Sequence, residues 1–245
     1  MSDFFQPASL LAVLLWVVWA ALLTLGLVLG QPDAERRTRL PLGVRMGLSV
    51  TLVAAAAVAW LRGAAGSSLE PYAFFLLLGM AFGLLGDLFM ARLIVPAPNH
   101  VIFGILAFGV GHLWYIAAFG QARQVLAPEA GVAWPVVGLY LAAAVGLWWA
   151  FVREPAQGAV LNVGTLGYSL LLSGMAAAAA SLALAVPVLW PAALGGVFFM
   201  ASDLILGAEI MRGRYFPGIG DAVWITYTVA QMLIVYSAWA ALAAL

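Results

Sequence analysis

The chain is a succession of apolar runs, each close to twenty residues long, separated by short stretches of Pro, Gly and charge. They extend over Pro7 to Leu29, Gly43 to Leu61, Pro71 to Ala91, Val101 to Phe119, Val132 to Val152, Ala159 to Leu184, Pro191 to Ile210 and Ala222 to Leu245. A helix needs roughly 20 apolar residues to cross the hydrocarbon of a bilayer, so eight crossings consume about 160 residues. In a chain of 245 residues the remainder suffices for turns and leaves no room for a water-soluble domain. Composition agrees: 8% of the residues are charged, against about 25% in a soluble domain. A spanning barrel would alternate apolar and polar residues, and these runs do not. The predicted fold is therefore all-α, a polytopic bundle of eight transmembrane helices forming one integral membrane domain over residues 1–245.

Arginine placement checks the helix count. With the N-terminus outside, the inner connections hold Arg36, Arg37, Arg39, Arg45, Arg92, Arg153, Arg212 and Arg214, and only Arg62 and Arg123 remain outside. Positive charge is retained on the cytoplasmic side, so this sorting favours an even number of crossings with both termini outward. The opening MSDFFQPASL lacks a basic segment, and the arginine cluster follows the first apolar run, which points to a retained anchor. The expected location is the bacterial inner (plasma) membrane.

Charge balance excludes other classes. Ten arginines and no lysine against ten acids give zero net charge, which removes the basic face that nucleic-acid binding requires. Without Cys there is neither a disulfide framework nor a thiolate site. The two histidines, His100 and His112, are too few and too far apart for a three-His zinc centre. An all-carboxylate site would suit only a hard, weakly held cation.

Two acids interrupt the apolar runs: Asp87 in LLGDLFM and Asp203 in MASDLIL. A charged side chain at the bilayer centre costs about 2.5 to 3.5 kcal/mol on insertion scales, so each needs a reason. Residues 78–94 also echo residues 194–210: Leu78, Gly79, Phe82, Asp87, Leu88 and Ile94 fall on Leu194, Gly195, Phe198, Asp203, Leu204 and Ile210. This suggests a parallel repeat of four helices plus four about an axis along the membrane normal, which would set both carboxylates at one depth. Two carboxylates close together in low dielectric do not readily both ionise, so one serves as acid and the other as base. The structural alternative is that each simply bonds a neighbouring helix or pairs with an inner arginine such as Arg92. The same acids would also suit a proton-coupled small-molecule transporter or channel.

Other polar residues carry both functional and structural readings. His112, flanked on its face by Phe108 and Tyr115, is by itself more often an interhelical bonding group than a catalyst, and His100 is expected at the interface. Trp224, Tyr227, Thr228 and Gln231 share a face of the last helix, as glue or as part of a site. Asp221 is expected to cap that helix, and Glu209 with Arg212 to form a solvated pair. Asn162, Thr165, Ser169 and Ser173 form a stripe expected to serve packing. Gly79, Gly83 and Gly86 flatten one side of the third helix, and Gly104, Ala107 and Gly111 one side of the fourth, for close contact or for an acyl chain. Arg92, Arg212 and Arg214 offer phosphate contacts at the inner surface, although topology alone also accounts for them.

GDLFM around Asp87, FGILAFGVGHLWY from Phe103 to Tyr115, SDLIL around Asp203 and TYTVAQMLIVYS near the end together resemble the YhhN family. The resemblance covers nearly the whole chain in order. It implies an eight-helix lysoplasmalogenase that hydrolyses the vinyl ether of a lysoplasmalogen to a fatty aldehyde and a glycerophospho-headgroup, with a lysophospholipid substrate and no metal or other cofactor. It places catalysis on Asp87 and Asp203, with His112, Tyr227 and Gln231 in substrate-binding or supporting roles.

Overall fold

The computed structural model describes residues 7–95 and 100–245. Eight helical segments among them are long and apolar enough to cross a membrane, the second and fifth only together with the turns Ala59–Ala64 and Trp148–Val152 that follow them: α1 (Pro7–Leu29), α2 (Leu42–Val58), α3 (Glu70–Met90), α4 (His100–Leu126), α5 (Trp134–Leu147), α6 (Gly158–Ala185), α7 (Trp190–Arg212) and α8 (Ile219–Leu242). The described residues contain no strand. The uncleaved-anchor reading of the N-terminus falls partly on residues 1–6, which lie outside the described residues.

Local chemistry sets the boundaries. Pro71, Pro135 and Pro191 stand in the first turns of α3, α5 and α7, where the missing N–H would have had no helical partner. Wider turns, Ala59–Ala64 and Trp148–Val152, prolong α2 and α5. The fourth helix was expected to stop at Phe119, before Gly120, yet it continues to Leu126. One glycine costs a helix only about 1 kcal/mol. The extension carries Arg123 to the Ala130 and Gly131 carbonyls and the Ser181 hydroxyl.

Packing buries α6 and α8 most deeply. The third helix contacts α2, α4 and α8, and α7 contacts α6 and α8; α4 also packs on α6, and α2 on α8. The first and fifth helices lie at the periphery, against α2 and α6 respectively. Lipid gives helices no hydrophobic reason to associate, so close backbone approach and polar tethers carry the assembly. At the α3–α4 crossing a Cβ on Gly111 would lie 3.0 Å from the Gly79 carbonyl oxygen, so the small-residue stripes serve close contact. Trp19 Nε1 donates to Thr228 Oγ1 at 2.8 Å, tying α1 to α8. Tyr72 and Ser237 share a 2.6 Å bond between α3 and α8.

The connection between α1 and α2 is fastened across the ends of α7 and α8. Gly218 and Gly220 donate backbone N–H groups to the carbonyls of Arg36 and Arg37. Asp221 was expected to cap α8, but the cap position is Gly218. One turn further in, the Asp221 carboxylate accepts Thr38 Oγ1, Arg39 N and Arg39 Nε at 2.8–2.9 Å. Glu209 likewise does not pair with Arg212. It pairs with Arg37 from the same connection, while Arg212 donates to the carbonyls of Trp149, Ala150 and Arg153. Tertiary approach of the connection supplied better-placed cations than the neighbour on the same helix.

Asp221→Ala should therefore loosen this clasp. Arg39 is half exposed, so its ion pair adds little, and the loss is mainly that of the accepted hydrogen bonds, about 1–2 kcal/mol. Limited trypsin digestion in detergent should cut faster after Arg36, Arg37 and Arg39 in the variant. An unchanged digestion rate there would mean the clasp rests on the backbone bonds alone.

Candidate active site

Asp87 occupies the last turn of α3, and Asp203 lies roughly two and a half turns before the end of α7. Both line one cavity of about 290 Å³, whose walls also include Arg45, Phe108, Ser202, Glu209, Trp224 and Tyr227. The fastened connection contributes Asp33, Arg37 and Thr38 to its rim.

Each aspartate has its own set of donors. Ser49 Oγ of α2 donates to Asp87 Oδ2 at 2.5 Å, and Tyr227 OH of α8 donates to the same oxygen at 3.0 Å. Gln231 Nε2 donates to Tyr227 at 3.3 Å, and Tyr115 OH donates to Gln231 Oε1 at 2.5 Å. The chain of bonds thus runs from α4 through α8 to the carboxylate on α3. Asp203 Oδ2 accepts Tyr168 OH of α6 at 2.5 Å. The Tyr168 hydroxyl lies 3.2 Å from His112 Nε2, and that ring stacks edge-on against Phe199 with centroids 4.8 Å apart.

A second, apolar-walled hollow adjoins the first. It runs between α5, α6 and α7, past Leu147, Trp148, Leu172 and Met200, and shares Met90, Asp203 and Leu206 with the polar cavity. Asp203 therefore stands where a polar chamber meets an apolar groove. Such a junction suits an amphiphile whose reacting bond lies between its headgroup and its chain.

Of the sequence-predicted residues, Asp87, Asp203 and Tyr227 line the polar cavity. His112 and Gln231 are buried and line neither hollow; His112 is linked to Asp203 through Tyr168, and Gln231 to Asp87 through Tyr227. Thr165, Ser169 and Ser173, expected only to pack, line the apolar groove; Asn162 instead closes the turn at Glu154. Arg92, Arg212 and Arg214 border neither hollow; Arg92 Nε donates to His100 Nε2 at 3.4 Å.

Sequence reasoning missed Ser49, Tyr168, Arg45 and Arg37. A faint signal existed for two of them: Arg45 and Ser49 are i and i+4 on one face of an otherwise apolar helix. Tyr168 follows Thr165 by three residues on the α6 stripe, and nothing local distinguishes it from a packing aromatic.

The model of the YhhN family matches residues 44–238, a span that holds both aspartates and their donors Ser49, Tyr168 and Tyr227. The chain belongs to the YhhN family. Among curated proteins, human lysoplasmalogenase TMEM86A is 32% identical over 182 residues, which is 69% of this chain and 67% of that protein. The lysoplasmalogenases of Mycobacterium bovis and Mycobacterium tuberculosis are each 31% identical over 136 residues, or 54% of this chain. The match spans about half the length of those mycobacterial relatives, 49% in each case. No solved structure matches the chain. The bundle of eight helices is thus a YhhN-family integral membrane protein.

Proposed function

We propose that this YhhN-family protein hydrolyses the vinyl ether of a lysoplasmalogen, releasing a fatty aldehyde and glycerophosphoethanolamine or glycerophosphocholine. The observation that carries the proposal is the placing of two carboxylates, from α3 and α7, on one cavity that borders an apolar groove at Asp203. Its similarity to the human and mycobacterial lysoplasmalogenases supports it.

A vinyl ether is hydrolysed when its β carbon takes a proton, giving an oxocarbenium ion. Asp203, with one side-chain donor and an apolar groove beside it, carries that proton. Asp87 accepts two side-chain donors on one oxygen and lies in the cavity with Arg45, so it is the ionised partner. It faces the cation and takes a proton from the attacking water. The hemiacetal then collapses: the Asp87 carboxyl returns its proton to the departing glycerol oxygen, and the Asp203 carboxylate removes the hemiacetal hydroxyl proton. One water is consumed and the pair ends as it began.

The inner position of the arginines supports a cytoplasmic opening and outward termini in a bacterial plasma membrane. The 4+4 repeat has support in the reciprocal packing of α4 on α6 and α2 on α8. Tyr115 and Gln231, separated by the repeat offset of 116, also bond to each other, as equivalent residues beside a two-fold axis would.

Purified protein in detergent is to be incubated with lysolipids carrying a vinyl ether, an alkyl ether or an ester, in D2O, with products read by mass spectrometry. Aldehyde is expected only from the vinyl ether, with one deuterium on the carbon next to the carbonyl. Ester cleavage alone, or aldehyde without deuterium, would overturn the mechanism. A transporter would release no aldehyde.

A further inference from the structure

Arginine charge at the cavity rim is mostly spent. Arg37 is paired with Glu209 and Glu35, and Arg39 with Asp221. Arg45 differs. It lines the cavity with both aspartates, has no ion-pair partner among the described residues, and its Nε is buried without a hydrogen-bond partner. The guanidinium lies 5.5 Å from the centroid of the Trp224 ring, which also walls the cavity. A half-buried cation with a buried N–H left without an acceptor carries a cost, and an anion in the cavity relieves it.

Its position along α2 specifies the anion. Arg45 precedes Ser49 by one helical turn, roughly 6 Å along the axis, and Ser49 holds Asp87. The Arg45 backbone is therefore displaced from that of Ser49, the residue that holds Asp87, toward the loop end of the bundle by about the length of a glycerol unit. Such a unit separates the vinyl ether oxygen from phosphorus in a lysoplasmalogen. The guanidinium fork matches a phosphodiester in shape and charge. Asp33, on the same rim, accepts the backbone N–H of Arg37.

We infer that Arg45, backed by Trp224, is the phosphate-binding residue of the cavity and fixes the lysophospholipid so that its ether bond lies at the two aspartates. The inference rests on the lipid-substrate reading but is tested by binding rather than turnover. Equilibrium binding of a hydrolysis-resistant 1-alkyl lysophosphatidylethanolamine, and of the 1-alkylglycerol that lacks phosphate, is measured on detergent-purified full-length protein. The wild-type protein should prefer the phospholipid. Arg45→Gln should weaken phospholipid binding about 10- to 100-fold, the value of a charged hydrogen bond, with alkylglycerol affinity unchanged. Arg45→Lys, which retains the charge, should recover part of the preference and controls for folding. Equal wild-type affinities, or an Arg45→Gln effect that is absent or the same for both ligands, would overturn the assignment. Arg45-dependent phospholipid preference in a protein that releases no aldehyde would refute the hydrolase reading and leave the phosphate site standing.

Discussion

Asp87→Asn and Asp203→Asn are each expected to lower aldehyde release about 10³-fold, within the range ascribed to general acid–base catalysis. Asparagine keeps the shape of the side chain and can accept from Ser49 and Tyr227, or from Tyr168, so the helices keep their contacts. It cannot pass a proton to carbon or take one from water. Because one aspartate gives up a proton while the other takes one at each stage of the cycle, loss of either stops the cycle. The double variant should accordingly be little worse than the single ones. Turnover of a lysoplasmalogen by all three, alongside gel filtration and thermal unfolding in detergent, checks this. Normal turnover in either single variant would reject the acid–base pair.

Gly79→Ala is expected to damage both stability and activity from a position outside the cavity. A Cβ there would stand 2.3 Å from Tyr115 Cε1 and 2.4 Å from Cδ1. The backbone has nowhere to retreat, since Gly111 already brings α4 against the Gly79 carbonyl oxygen. The buried Tyr115 ring must move instead, and its hydroxyl heads the chain of bonds through Gln231 and Tyr227 to Asp87. Overpacking of this kind costs about 1–3 kcal/mol, or roughly 3–10 °C in Tm for a chain of this size. Aldehyde release should fall about tenfold as Tyr227 loses its backing. Shortening the obstructing side chain in Gly79→Ala/Tyr115→Leu should restore part of the Tm without restoring activity. A single variant as stable and active as the parent would contradict the close α3–α4 contact.

The candidate site was legible in part for a physical reason. An acid within an apolar run is expensive wherever the helix packs, so Asp87 and Asp203 stand out from sequence alone. Tyr227 and Gln231 could be grouped because one helix face fixes their spacing. Ser49 and Tyr168 are neutral, and their hydroxyls gain meaning only when α2 and α6 bring them to the carboxylates. The same blindness produced the two wrong pairings: local spacing offered Arg212 to Glu209 and a capping role to Asp221, but the α1–α2 connection folded over both. Arg45 was counted only as an inner charge, because a helical period cannot tell which cations will find acids.

Sequence by itself determined that the chain lives in a bilayer, how many helices cross it, and where the two costly acids lie, because hydrocarbon tolerates only long apolar helices and penalises every charge placed among them. Tertiary structure alone decided that those acids border one chamber, which hydroxyls hold them, which cavity-lining arginine has no ion pair among the described residues, and where the apolar groove meets the polar cavity. Lipid-facing and helix-facing apolar residues are chemically alike, so the rotation and neighbours of each helix emerge only when small residues and polar tethers lock the bundle together.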